Sequence, residues 1–307
     1  MADWEFPVVD MLSESLTIDV IDEDQPPSAG VRRKRVFGVT FWVAVAFLSL
    51  LTLASIFAEV LPLADPISSG TTYSAGPNGS NLFGTDANGR DILSRVIFGA
   101  QVSLIVGSVG ATLALLVGGM IGMAAGYYRG RIDTIITAVT DSTLVIPPLI
   151  LALALVLFLD PVAKRRVLIL IVVFVLLSIS PIARVVRAST LVWSEREFVL
   201  AAKTMGARNG RIMFREVLPN VAPALISYSL IIMAQLIVVE GAVAFLGLSV
   251  PPPSPTWGDM INKGRNDLGS AAHIALIPSL VMFFTVLALN FVGDKMQERF
   301  EPRESVL

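Results

Sequence analysis

The stretch SEREFVLAAKTMGARNGRIMFREVLPN, residues 194–220, lies between two long apolar runs and carries eight charged side chains. That charge keeps it out of a bilayer core. Its first part has helix character: Ser194 and Glu197 stand at capping-box spacing. Phe198, Ala201, Ala202 and Met205 recur at i, i+3, i+4 and i+7, which makes one apolar face with small residues at its centre. Gly206 stands where a glycine stops a helix and turns the chain. A basic amphipathic stretch, 208–218, follows, and Pro219 and Pro223 open the next apolar run. Such a helix–glycine–helix element offers a face that fits either another protein or lipid headgroups.

Working outward, the flanking runs are membrane spans by length. Of the 307 residues 54% are apolar and only 16% charged, with a mean hydropathy of +0.73. Soluble domains carry about 25% charged residues, and one soluble core cannot hide this much apolar surface. A spanning helix needs about 20 apolar residues. Six runs qualify: 36–58, 100–128, 132–159, 167–188, 221–246 and 273–292. The third holds Asp141 and Pro147-Pro148 and the fourth holds Pro181, so kinks are expected there. The fold class is therefore an all-α integral membrane protein with six transmembrane helices. This composition excludes a free-standing soluble enzyme, and a net charge of −2 without basic excess argues against nucleic acid as a partner. With no Cys and one His, the chain has too few ligands for a thiolate or His-based metal site. His273, at the edge of the last run, reads as an interface residue.

Six spans put both termini on one side. That side carries sixteen Lys and Arg, the other seven. The positive-inside rule makes the richer side cytoplasmic, with one basic outer loop, Lys164-Arg165-Arg166, running against it. The chain then divides into an acidic cytoplasmic tail (1–35), a first transmembrane helix (36–59), an extracytoplasmic loop (60–99), a core of five transmembrane helices (100–300) and a short cytoplasmic tail (301–307). The first tail has eight acids and no Lys or Arg before Arg32, and reads as a solvated leader. The run 36–58 is too long, and starts too late, for a signal peptide. In the outer loop NGRDILSRVIFG (88–99) has helical spacing and predicts a short interfacial helix. Pro251-Pro252-Pro253 ends any helix. Trp257 beyond it suits a membrane interface, in a segment that is either a connector or a platform for a partner.

Polar groups within spans are costly and are candidate pathway residues. Here they are Asp141, Gln235 and Glu240. Facing a cavity, the two acids line a pathway; in a protein of another class they are proton relays of a secondary transporter. The alternative for each is structural pairing with a neighbouring helix. A channel is a third class, but no filter-like motif or charge ring is visible.

Residues 194–220 resemble the EAA motif of binding-protein-dependent ABC importer permeases. Leu200-Ala201-Ala202, Gly206 and Leu218-Pro219 fall at the motif's spacing, with Leu200 in place of its Glu and Glu216 in place of its Ile. Four further stretches, 82–104, 126–153, 244–261 and 290–303, are similar in order and kind to the second, C-type permease of dipeptide, oligopeptide or nickel importers. The resemblance implies a MetI-like type I importer transmembrane fold in a prokaryotic inner (plasma) membrane. It implies pairing with a homologous B-type permease, docking of cytoplasmic ATP-binding subunits on the coupling loop, and an extracytoplasmic peptide-binding protein on the outer loops. Phe198, Ala201, Ala202, Met205, Gly206, Leu218 and Pro219 are then the ATPase-coupling residues. The chain has no GxxxxGK[ST] phosphate loop, so it is expected to be no enzyme, with ATP and Mg bound by the partner subunits.

Overall fold

Without water, every backbone N–H and C=O must be satisfied within the chain, and the apolar runs achieve this as helices. The computed structural model describes residues 37–160, 162, 163 and 165–300. The two tails expected at 1–35 and 301–307 lie outside the described residues, as do Val36 and Lys164. In chain order the helices are α1 (Val39–Ile56), α2 (Ile92–Tyr128), α3 (Gly130–Leu144), α4 (Pro148–Leu159), α5 (Arg166–Ser194) and α6 (Glu197–Thr204). There follow α7 (Asn209–Ile212), a π turn (Met213–Val217), α8 (Leu218–Phe245), α9 (Trp257–Gly264) and α10 (His273–Phe300). Five of these helical rods are long and apolar enough to cross a membrane, and the pair α3–α4 makes a sixth, bent span.

Proline explains the bend. Pro147 is extended (φ −54°, ψ 127°) and Pro148 opens α4, so the expected kink is a full break of 87°. Pro181 stays inside a continuous α5.

The tightest packing joins α2 to α5. Gly118, Gly122 and Gly126 lie four apart on α2, one above the other on a single face. An added Cβ would meet the Ile179 carbonyl oxygen at 2.8 Å from Gly118 and the Arg187 carbonyl oxygen at 2.7 Å from Gly126, and would sit closer still to that of Ala183 from Gly122. The seam is backbone against backbone, as small residues permit between membrane helices. Around it Val106, Leu170, Phe174, Ile182, Ile232 and Leu236 form the buried core.

Two expectations for the outer segments are corrected. Residues 88–99 are not a separate interfacial helix. Asp91 caps α2 by accepting from the Ser94 N–H (2.8 Å), and Ile92, Ser94, Arg95 and Val96 are buried in the first turns of that helix. Ile92 and Val96 pack with Met260, Ala271 and Ile274. Trp257 is no interface residue either. It is fully buried, and its Nε1–H donates to the Val96 carbonyl (2.9 Å), which satisfies the one polar group a buried indole brings.

Three cations of this end, Arg90, Arg95 and Arg166, are bonded inside the chain. Arg90 pairs with Asp86 at 2.8 Å. Arg95, 1% exposed, donates to the Pro66 carbonyl at 2.7 Å. Arg166 pairs with Asp160 (3.4 Å) and donates to the carbonyls of Leu248 (3.0 Å) and Asp160 (3.1 Å). Part of the basic loop that ran against the charge rule is thus an internal clamp on the chain leaving α8. His273 lies half-buried against the 84–85 turn, with Nε2 3.3 Å from the Thr85 carbonyl.

Candidate functional site

The motif stretch folds as an elbow at the opposite end of the bundle. Ser194 does not cap α6: it ends α5, and its Oγ donates to the Leu191 carbonyl (3.0 Å). Helix α6 begins after Arg196 without a side-chain cap. The expected apolar face is split. Ala202 is buried and shares the main core cluster with Val199, Ile212, Met213 and Val217. Phe198, Ala201 and Met205 are exposed, Met205 by 80%, and Leu200 joins them. The sequence period found the helix but assigned one buried residue to the open side.

Gly206 has φ +79°, the left-handed conformation that suits glycine. Its N–H donates to the Lys203 carbonyl (3.0 Å), and the Ala207 N–H donates to that of Ala202 (3.1 Å), a Schellman stop. Nothing lies within 4 Å of the position a Cβ would take. After the turn, α7, the π turn and α8 form one helical rod from Asn209 to Phe245. The helix that carries this span therefore begins at Asn209, ahead of the apolar run that starts at residue 221. The π turn ends two residues before Pro219, whose ring needs room at the carbonyl four residues back, that of Arg215 within the turn. Leu218 is half-buried and Pro219 exposed. The second arm of the elbow is the start of the rod that carries the fifth span.

Charge surrounds the elbow. Arg196 lies over the Trp193 ring (5.6 Å) and Lys203 over that of Tyr127 (5.2 Å). Arg208, Arg211 and Arg215 are exposed and form no ion pair among the described residues. Arg129 pairs with Glu195 (2.6 Å), and Tyr127 Oη donates to Asn209 Oδ1 (3.1 Å), so the ends of α2 and α5 hold the elbow in place.

The three polar positions of the spans separate. Asp141 is half exposed and paired with an equally open Arg184 (2.6 Å). Asp133–Arg187 and Thr143–Ser180 link the same two helices, α3 and α5, and neither pair was singled out in the sequence. Gln235 is exposed on α8. Glu240 faces no cavity: it is 1% exposed and accepts from Ser103 Oγ (2.8 Å) on α2 and Ser249 Oγ (2.7 Å) beyond α8. Both of its oxygens are occupied by structural hydroxyls, so the expectation that it lines a pathway is corrected. Among the described residues no group of His, Asp and Glu could hold a metal ion.

Residues 114–306 match the family model described as binding-protein-dependent transport system inner membrane component. The glutathione transport system permease protein of Pectobacterium atrosepticum is 35% identical over 74% of this chain and 74% of its own. The dipeptide transport system permease protein of Alkalihalophilus pseudofirmus is 33% identical over 86% of this chain and 83% of its own. A putative peptide transport system permease protein of Brucella suis is 33% identical over 96% and 98%. Among solved structures, a chain of the inward-facing MetNI methionine ABC transporter superposes with a TM-score of 0.57 at 17% identity, covering 69% of this chain and 98% of that one, which supports the fold. None of these supports the secondary-transporter alternative. With the elbow, the bent third span and this match together, the chain belongs to the binding-protein-dependent transport system inner membrane components, the multi-pass permease subunits of ATP-binding-cassette importers.

Proposed function

We propose that this chain forms one half of the translocation pathway of a peptide importer and is driven through the elbow at 194–220 by a cytoplasmic ATP-binding subunit. The observation that carries this is the elbow itself. Phe198, Ala201 and Met205 face outward beside exposed cations that form no ion pair among the described residues, and one turn at Gly206 joins them to the helix of the fifth span. Ala202 supports that face from beneath. The other half of the pathway is a homologous B-type permease, and an extracytoplasmic peptide-binding protein meets the end that carries Trp257. ATP and Mg are held by the ATP-binding subunits. The elbow and both termini are cytoplasmic, on the side with sixteen of the Lys and Arg residues. Three relatives named for glutathione, dipeptides or peptides support a cargo of short peptides. Asp141 and Gln235 are the polar positions open to a pathway.

Gly206→Asp tests the coupling. The site has room for the side chain, and the left-handed backbone adds a strain of about 1–2 kcal/mol. The expected outcome is a normal amount of chain in the membrane, no co-purified ATP-binding subunit, and uptake lowered about tenfold or more, the equivalent of about 1.4 kcal/mol of lost docking. Normal uptake overturns the proposal.

A further inference from the structure

We propose that the cavity beside the end of α1, on the side of the bundle opposite the elbow, holds one phospholipid with a primary ammonium headgroup, and that Glu59 and Asp65 accept its N–H groups. The proposal is independent of the coupling role given above.

The cavity has a volume of about 690 Å³, within the range of about 300–1,000 Å³ typical of small-ligand sites. Segments distant in sequence build it: the chain after α1, the early turns of α2, the start of α5 and residues 250–255 beyond α8. Its level in the bilayer follows from the apolar runs. Ala58 ends the run 36–58, Gln101 and Val102 stand at the start of the run 100–128, and Val167 opens the run 167–188. Three apolar runs thus begin or end at one cavity, which places it at the boundary between hydrocarbon and headgroups. Just before Ala58 the end of α1 exposes Leu53, Ile56 and Phe57, an apolar surface for acyl chains.

The charge of the lining selects the headgroup. Among the described residues that line the cavity, Glu59 and Asp65 are the ionisable ones, and both are exposed. Glu59 forms no hydrogen bond or ion pair among the described residues. Asp65 accepts from the Ile67 N–H with Oδ1 (2.9 Å) and keeps Oδ2 open. Two carboxylates without a cation in the lining repel an anionic headgroup and attract an ammonium. A primary ammonium brings three N–H donors, enough to reach both acids in charge-assisted bonds, whereas a trimethylated one brings none. Gln101 serves the next part of the lipid. Its Nε2 donates one hydrogen to the Ser55 carbonyl (2.7 Å), which leaves the second for a phosphate or ester oxygen. A basic side chain of a protein partner would meet the same acids, but at headgroup level, beside the exposed end of α1, the neighbour always present is lipid.

The full chain, purified in neutral detergent, is mixed with equal amounts of phosphatidylethanolamine, phosphatidylcholine and phosphatidylglycerol, and the bound lipid is counted by native mass spectrometry. One phosphatidylethanolamine per chain is expected, retained about tenfold better than either competitor. Glu59→Gln with Asp65→Asn should retain the three lipids alike. The amides keep the size of the side chains, and Asn keeps an acceptor for the Ile67 N–H, but neither attracts an ammonium. Thermal unfolding of the same samples shows whether the lipid-free double variant is as stable as the unaltered chain. Where it is less stable, Glu59→Gln alone gives the reading, because Glu59 has no partner in the described fold: the preference should fall about threefold or more. Equal retention of the three lipids by the unaltered chain overturns the proposal, as does better retention of phosphatidylglycerol. A phosphatidylethanolamine preference that survives these substitutions overturns it too. So does displacement of the lipid by an equal concentration of tri-lysine peptide, which would give the cavity to a basic protein partner.

Discussion

At one end of the bundle Arg90, Arg95 and Arg166 are buried and bonded within the chain, whereas at the other Arg208, Arg211 and Arg215 stand exposed with no ion pair among the described residues. The same contrast holds for apolar groups. Trp257 is sealed beneath α2 at the first end, and Met205 lies 80% exposed at the second. A buried ion pair adds little net stability over an apolar substitute, but breaking it is costly. The first end is therefore locked by its own residues. The second leaves three arginines open, as the proposed docking of an ATP-binding subunit requires.

The largest expected effect comes from unlocking the first end. Arg166→Ala removes the buried guanidinium that pairs with Asp160 and leaves the Leu248 carbonyl without that donor, and should cost about 1–3 kcal/mol. Thermal unfolding of the purified chain in detergent reads this, and an unchanged midpoint would mean that the clamp holds nothing. Glu240→Gln sharpens the contrast within the spans. The amide keeps a partner for each of Ser103 and Ser249, so a loss of about 1 kcal/mol or less is expected, with uptake retained. Abolished uptake would bring the proton-relay reading back. The smallest effect on stability belongs to the open end. Arg208→Gln with Arg211→Gln should move stability by no more than about 0.5 kcal/mol, while recovery of the ATP-binding subunit falls and becomes less sensitive to salt. A large drop in the unfolding midpoint would show that these arginines belong to the fold after all.

Much of this was legible in the residues. The spans declare themselves by apolar length, the elbow by Gly206 and by the spacing of Phe198, Ala201 and Met205, and the break by Pro147-Pro148. What escaped is what periodicity does not encode. Ala202 and Ala201 are the same residue type one position apart, and only the packing of α6 on the core decides which is covered. Glu240 reads as functional because an acid in a span is costly, yet its serine partners lie 137 and 9 residues away. Trp257 suits an interface by its chemistry, and its burial depends on Val96 offering a carbonyl from a distant helix. The seam of Gly118, Gly122 and Gly126 could have been found, since small residues every four positions in an apolar run mark a helix contact.

That seam has a mechanical consequence. Helix α2 has 37 residues, about 55 Å at 1.5 Å per residue, and along Gly118–Gly126 it meets the α5 backbone with only the β-branched Ile182, Val186 and Thr190 beside the glycines. Rotamers are the springs of a protein interface, and β-branched side chains, stiff at χ1, leave this one few to compress. A displacement delivered to the end of α5 at Ser194, next to the elbow, is carried into α2 with little slack. The pair therefore acts as one stiff beam, whose far end lies under Trp257.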